Sequence, residues 1–256
     1  MHPANRLLSH LGLRVSRAPS ARIPGEFIRQ YEDGYKSMQH NRRGFGVFRQ
    51  MMYDAGEHPS SYIDFECAFA ASTIAARHPA SILDIGSYRH FVLGLLGHSR
   101  VTTLDVRSRQ PATANETVLT SDAKAIDGPS GQFDLVVSLC AIEHFGLGRY
   151  GDELDVDADQ KALREMARVL RPGGALVLST TITRARPTIA FNAHRIFDYA
   201  MISAMRGTMR LEREAFFSNS RADVVPLSDI NETEGVWDVY CACWIKDSES
   251  STAGIV

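Results

Sequence analysis

The pattern of apolar and polar positions is most informative over residues 81–105. Ile82, Leu83 and Ile85 form a short apolar run suited to a central parallel strand, and Gly86 stands where the chain must turn sharply with no Cβ in the way. Phe91, Leu95 and Leu96 then share one helical face, and a second strand from Val101 to Leu104 carries Asp105 to its end. Strand, turn, helix and strand in this order make a nucleotide-binding βαβ unit. A carboxylate about 20 residues beyond the turn is what a ribose diol requires.

The same reading extends along the chain. Over residues 25–53 two short amphipathic helices are expected, with Phe27, Tyr31, Tyr35 and Met38 on one face and Phe45, Phe48 and Met52 on another. Arg29, Lys36, Arg42, Arg43 and Arg49 accompany them, as a solvated face or as a rim for an anionic acceptor. Ser61 with Asp64 fits a capping box that opens a helix whose buried stripe is Ile63, Cys67, Ala70 and Ile74. Residues 107–115 read as loop, 117–119 as a short edge strand, and 132–139 as a central strand running into Cys140, Glu143 and His144. The Gly-rich, charged segment 146–155 is too long for a plain connector and is a binding-loop candidate.

Leu163, Met166, Ala167 and Leu170 have the i, i+3, i+4, i+7 spacing of a helix, which stops at Arg171-Pro172-Gly173-Gly174 before a buried strand over 175–181. Asn192 is expected to cap a helix through about Arg206, so that His194 and Arg195 open a helix beyond a strand end. Residues 209–217 and 236–245 close the fold as two strands with no crossover helix, the second apolar on both faces and therefore interior.

Composition narrows the class. With 256 residues, 44% apolar and 23% charged, one large α/β domain with extensions is expected: an N-terminal arm and helical cap over 1–60, the α/β domain over 61–247 and a loose tail over 248–256. A net charge of −2 leaves no electrostatic footprint for nucleic acid, which turns the expectation to a small-molecule or glycan partner. Cys67, Cys140, Cys241 and Cys243 show neither a CxxC pair nor metal-ligand spacing and read as free, buried thiols of a reducing compartment. No run approaches the roughly 18 apolar residues of a spanning helix, and no signal-peptide core is present, so a cytoplasmic location is expected. Residues 1–22 carry Arg6, Arg14, Arg17 and Arg22 with no acid, and Leu7, Leu8, Leu11 and Val15 at helical intervals. That suits a membrane-surface helix, a targeting peptide, or a loose arm docking on its own domain or on a biosynthetic partner, the last being the expectation. Asp155, Asp157 and Asp159 resemble the start of a calcium loop, but Gln160 replaces the turn glycine and Met166 the bidentate glutamate, so no metal is expected. The oligomeric state is left open.

Leu83-Asp-Ile-Gly86, Asp105, Phe133-Asp-Leu-Val-Val-Ser, Glu143-His144 and Leu170-Arg-Pro-Gly-Gly ahead of a strand together resemble the class I S-adenosylmethionine-dependent methyltransferases over residues 61–247. The resemblance implies an α/β, Rossmann-like seven-stranded sheet, mostly parallel with an antiparallel last strand and helices on both faces. Residues 82–91, 143–152 and 191–195 are also similar to an uncharacterised bacterial family, filed as a domain of unknown function, whose members are associated with surface polysaccharides. That implies methylation of a sugar or glycan hydroxyl. The alternatives are a methyltransferase for another small metabolite and a catalytically silent binding module in a glycan-biosynthesis complex. A dinucleotide oxidoreductase would want Gly-x-Gly-x-x-Gly over residues 86–91, which is absent.

By the same resemblance S-adenosylmethionine is the cofactor. Gly86, Ser87, Tyr88 and the following helix would hold its methionine end, with Asp105 on the ribose, Asp122 near adenine, Cys140 nearby and Asp84 supporting the turn. Asp122 reads equally well as part of a Ser-Asp turn. One departure stands out: where the family has Gly-x-Gly-x-Gly, this chain has Tyr88 and His90 at the second and third positions. An alcohol acceptor must lose its proton, and His194, slightly favoured, and His144 are the candidate bases, with Glu143 as an orienting group. Arg149, Tyr150, Asp152, Asn192 and Arg195 are the candidates for acceptor binding.

Overall fold

The computed structural model describes residues 23–40, 43, 46–53 and 61–247; the basic stretch 1–22, the tail 248–256, Arg42 and Phe45 lie outside the described residues. The chain divides into two units, Met1–His58 and Pro59–Val256.

In the first unit, helix α1 (Gly25–His40) buries none of its residues. Phe27 meets Tyr53 edge-on at 4.7 Å, and Arg49 pairs with Glu32 at 2.6 Å while its guanidinium lies 4.4 Å from the Tyr35 ring centre. The expected second helix does not form over 46–53, where Phe48 and Met52 are exposed. Gly44 and Gly46 raise the cost of nucleating a helix in so short a stretch. No helix among the described residues is long and apolar enough to cross a membrane.

The second unit opens with α2 (Tyr62–Arg77), capped by the reciprocal Ser61–Asp64 box. Its buried stripe is Glu66, Phe69, Ala70, Thr73 and Ile74, whereas Ile63 is exposed and Cys67 half-buried, because the face turned to the sheet is one step round from the expected one. There follow β1 (Ile82–Ile85), α3 (Arg89–Leu96), β2 (Val101–Asp105), β3 (Glu116–Thr120), β4 (Phe133–Leu139), α4 (Ala158–Val169) and β5 (Leu170–Ile182). Then come a hairpin, β6 (Thr188–Ala190) with β7 (His194–Ile196), and α5 (Tyr199–Met205), β8 (Arg210–Ser218), β9 (Asp223–Val225) and β10 (Asp238–Ile245).

The main sheet runs β3-β2-β1-β4-β5-β10-β8-β9. The first five strands are parallel; β10 is antiparallel to both β5 and β8, and β9 is antiparallel to β8. The expected seven strands are therefore eight, because three residues after β8 fold back and pair Val225 with Phe216. Both faces are covered, which is why β1, β4 and β10 read as continuous apolar runs. Leu83, Ile85, Val136, Leu178 and Trp244 pack with Leu163 and Met166 of α4 and Ile202 of α5. Ile82, Leu135, Val137, Cys241 and Cys243 pack on the other side with Phe69 and Ile74 of α2 and Leu95 of α3.

Two expectations about local structure are corrected. Strand β5 begins at Leu170 rather than at residue 175, since Leu170 already pairs with Phe133 and residues 171–174 bulge from the ladder. Asn192 caps no helix. It turns the β6–β7 hairpin with φ +61°, which asparagine tolerates, and Asp198 caps α5 by accepting from the Met201 N–H at 2.7 Å. His194 and Arg195 consequently lie on a strand. Thr188, Ile189, Phe191 and Ile196 are β-formers that outweigh the capping signal read at Asn192.

Candidate active site

A cleft with two lobes lies beyond the carboxyl ends of β1, β2 and β4, where open α/β sheets bind ligands. The first lobe is walled by Ile85, Leu104, Asp105, Arg107, Asp122 and Ala123. The second is walled by Tyr62, Tyr88, Glu143, Arg149, His194 and Trp237. Gly86, Cys140, His144 and Tyr150 line both, so the lobes meet along the turn after β1 and the segment after β4.

The first lobe rests on a turn that admits little but glycine. Gly86 has φ +71°, and a Cβ there would stand 3.0 Å from the Ala141 Cβ. The Ser87 hydroxyl accepts from the Leu139 N–H at 3.1 Å and so ties this turn to the end of β4. Beneath it Asp84 is buried and its Oδ1 has no partner among the described residues. Burial pushes the Asp84 carboxyl up to about 7, against the opposing pull of Ser87, Arg109 and Arg89. At the rim Asp105 accepts from the Arg107 N–H at 2.9 Å and Nε at 3.0 Å on Oδ1, and from Nη2 at 2.8 Å on Oδ2. Burial alone would raise the Asp105 carboxyl, but the Arg107 bonds outweigh it and hold the group below its ordinary range. Asp122 lines the lobe and also makes its turn, accepting from the Lys124 N–H at 2.9 Å.

Tyr88 leaves the first lobe clear. Its ring packs against the α2 layer and its hydroxyl donates to Glu66 Oε2 at 2.8 Å, so the side chain falls in the second lobe. Cys140, held at φ +47°, donates its thiol to the other Glu66 oxygen at 2.8 Å while its N–H reaches Ser179 Oγ at 2.9 Å. Burial pushes the Cys140 thiol far up, with the Glu143 and Glu66 charges adding to it. Glu66 is itself raised by burial, partly offset by Cys140, Tyr88 and Ser179.

In the second lobe the single 3-10 turn Ile142–His144 places Glu143 and His144. Glu143 is buried, and burial pushes it up to about 7 although Thr180 donates to its Oε2 at 3.1 Å. His144 Nδ1 lies 2.5 Å from the Ala193 carbonyl oxygen, a contact that puts the ring proton on Nδ1 and leaves Nε2 as the acceptor. Arg149 Nη1, 3.4 Å from the same carbonyl and 3.5 Å from Nδ1, therefore donates to the carbonyl rather than to the ring. Burial lowers His144 despite the Ala193 bond, and Arg149 and His194 lower it further. His194 stands 6.3 Å from His144 and 5.9 Å from Trp237 between ring centres, and is also lowered by burial and then by Arg149. Tyr150 roofs the cleft between two cations, with the Arg107 guanidinium 4.7 Å and the Arg149 guanidinium 5.2 Å from its ring centre. Asp152 accepts from the Tyr150 N–H at 3.1 Å and lines the first lobe, not the second.

Two more of the expected acceptor residues are placed otherwise. Arg195 is buried and its guanidinium is committed to backbone carbonyls, Phe145 at 2.5 Å and Val156 at 3.0 Å, with Asp159 at 3.9 Å. Asn192 donates to the Leu147 carbonyl at 3.2 Å. Both pin the loop 145–156 to the hairpin. The aspartates once comparable to a calcium loop are likewise occupied: Asp155 pairs with Lys161 at 2.7 Å, and Asp159 faces Arg195. Among the described residues no cluster of His, Cys, Asp and Glu could hold a metal.

A family model described as Caenorhabditis protein of unknown function, DUF268, matches residues 97–232, more than half of the chain. The chain belongs to the DUF268 family. The match spans Asp105, Asp122, Glu143, His144, the loop and the hairpin, but not the Gly86 turn. Its description names Caenorhabditis and no activity, so the bacterial, polysaccharide-associated family expected from the sequence is not what this model describes. No curated protein matches this DUF268 chain by sequence.

Solved structures share its fold. A Burkholderia thailandensis 1,6-didemethyltoxoflavin-N1-methyltransferase, bound to 1,6-didemethyltoxoflavin and S-adenosylhomocysteine, is 15% identical with a TM-score of 0.53, covering 92% of this chain and 94% of its own. The N-methyltransferase NodS from Bradyrhizobium japonicum WM9, in complex with S-adenosylhomocysteine, is 16% identical with a TM-score of 0.51, covering 72% and 86%. The [4+2]-cyclase SpnF is 15% identical with a TM-score of 0.52, covering 70% and 81%. Identities this low establish a Rossmann-like methyltransferase fold for the DUF268 chain, and the cyclase shows that the fold does not dictate one reaction.

Sequence reasoning missed Glu66, Arg107, Trp237 and Tyr62. A carboxylate within the apolar stripe of α2 was the available signal for Glu66. Arg107, two residues beyond Asp105, signalled a partner for that carboxylate. Trp237 and Tyr62, 5.3 Å apart and 175 positions distant in the chain, left no local trace.

Proposed function

We propose that this protein transfers a methyl group from S-adenosylmethionine to a hydroxyl of a small polar acceptor, a sugar or glycan intermediate being the specific candidate. The observation that carries the reading is the two-lobed cleft itself, with a glycine-only turn and a strand-end carboxylate in one lobe and a tautomer-fixed histidine at the junction with the other. The donor fits the first lobe on chemical grounds. Gly86 keeps the turn free of a Cβ and Asp105 offers acceptors to a diol, with Asp84 buried beneath the turn. When bound, S-adenosylmethionine supplies an electrophilic methyl on a sulfonium.

The chain's own task is alignment and proton removal. His144 is the better base of the two histidines, because the Ala193 carbonyl fixes its tautomer and leaves Nε2 bare, whereas His194 has no orienting hydrogen bond among the described residues. This reverses the slight preference drawn from sequence, which rested on a helix start that is a strand. Glu143, 4.0 Å from His144 Nε2, is placed to stabilise the imidazolium that forms. His194 and Trp237 wall the lobe, and Tyr62 meets Trp237 edge-on. Aromatic walls with hydroxyl-bonding groups between them suit a sugar ring.

A second reading, a binding module without transfer, draws on Arg107, which occupies both oxygens of Asp105. Incubation with methyl-labelled S-adenosylmethionine and a panel of hydroxylated sugars separates the two. Label in a sugar product supports transfer; S-adenosylhomocysteine binding with no label in any acceptor favours the module.

A further inference from the structure

Resting on the reading of the second lobe as an acceptor site, we infer that the acceptor carries an anionic group, a carboxylate or a phosphate, held by Arg149 at the mouth of that lobe. Arg149 lines the lobe, yet among the described residues it has no carboxylate within 4.0 Å. Its hydrogen bond is a long one to a carbonyl, Ala193 at 3.4 Å, and its guanidinium rests on Tyr150 at 5.2 Å. Arg107, on the same ring, differs: it is neutralised by Asp105 at 2.8 Å.

Other charges near Arg149 are accounted for. Asp152 turns its oxygens to the N–H groups of Gly148 at 3.4 Å and Tyr150 at 3.1 Å, and Glu143 lies on the buried floor bonded to Thr180 at 3.1 Å. Burial lowers the pKa of both His144 and His194, and Arg149 lowers both further, so the fixed cation of the lobe is Arg149. A guanidinium offers a planar fork of donors that matches carboxylate and phosphate oxygens. Because Arg149 and His144 share the Ala193 carbonyl, an anion on Arg149 is tethered within reach of His144 Nε2. The site thus selects an acceptor whose anionic group lies a few bonds from the hydroxyl to be methylated.

Trp237 in the lobe reports occupancy by fluorescence. The full chain, with and without S-adenosylhomocysteine, is titrated with glucuronate, glucose 6-phosphate and glucose. At least one anionic sugar is expected to bind about tenfold or more tighter than glucose, the scale of one charge-assisted hydrogen-bonded contact. Which of the two does so identifies carboxylate or phosphate. Arg149→Gln should erase the preference and Arg149→Lys should keep part of it. Equal binding of all three, binding of none, or a preference that survives Arg149→Gln overturns the inference. Calorimetry with S-adenosylhomocysteine is read separately: anion selectivity through Arg149 without donor binding sinks the methyl-transfer reading alone, and donor binding without selectivity sinks this inference alone.

Discussion

The two lobes of the cleft are built differently. The first lobe lies where the parallel strands β1 to β4 end, closed over by the loop, and its floor is set by a left-handed glycine, a strand-end carboxylate and a hydroxyl that ties two strand ends together. The second lobe draws on α2, the turn after β1, the end of β4 with the 3-10 turn, the loop, Thr181 of β5, the β6–β7 hairpin and Trp237 just ahead of β10, and its form is set by side-chain tethers. A sheet dictates the first. The second depends on contacts such as Arg195 with the Phe145 carbonyl, made between residues far apart in the chain. Solved structures of this fold carry different reactions, a methyl transfer and a [4+2] cyclisation among them.

This contrast is broken most directly at His144. His144→Ala should lower turnover by roughly 10² to 10⁴, the range expected for a general base, with a far smaller effect on donor affinity. Burial lowers the His144 pKa, so the neutral, active imidazole persists to below the ordinary histidine value of about 6.5 and the acidic limb of the rate profile lies below it. A limb near 7 in wild-type enzyme would instead report Glu143, pushed up to about 7. Steady-state kinetics across pH distinguish them.

In the first lobe Gly86→Ala should act through backbone. An alanine at φ +71° meets the Ala141 Cβ at 3.0 Å and costs on the order of 1–2 kcal/mol of stability from its left-handed conformation alone. Chemical denaturation measures the loss, and weakened donor binding should accompany it. Conversely, a mutation in the acceptor lobe should leave the turn intact.

The smallest effect sharpens the comparison from the stability side. Glu143 has a folded-state pKa near 7, above the unfolded value of about 4.3, so it favours folding when protonated and opposes it increasingly as pH rises from 4.3 toward 7. Glu143→Gln should therefore raise Tm at pH 8, by a shift on the order of 2–4 °C per kcal/mol recovered, and lose most of that advantage near pH 5. Thermal scans at both pH values test the sign.

How much was legible follows the same division. Strand runs such as 82–85 and 133–139 declare themselves because both sheet faces are buried, and the Asp105 spacing follows from the length of one βαβ unit. The hairpin reads as a helix because asparagine suits a helix cap and a tight turn alike, and the deciding feature, a left-handed Asn192, is a backbone fact. The role of Arg195 was misjudged for another reason: an arginine beside a histidine reads as binding, and only packing shows it spent on carbonyls of the loop 145–156. Tyr88 was the converse case. It stands where the family's motif has its second glycine, and its tether to Glu66, 22 positions earlier, turns the side chain out of the first lobe.

The central claim is that the first lobe holds the donor through Asp105, and isothermal titration with S-adenosylhomocysteine tests it on wild-type protein and on Asp105→Asn. One site per chain is expected in the wild type, with affinity falling roughly ten- to a hundredfold in the variant, the scale of lost hydrogen bonds to a charged group. Absence of binding in the wild type, or equal affinity in a folded Asp105→Asn variant, would contradict the account.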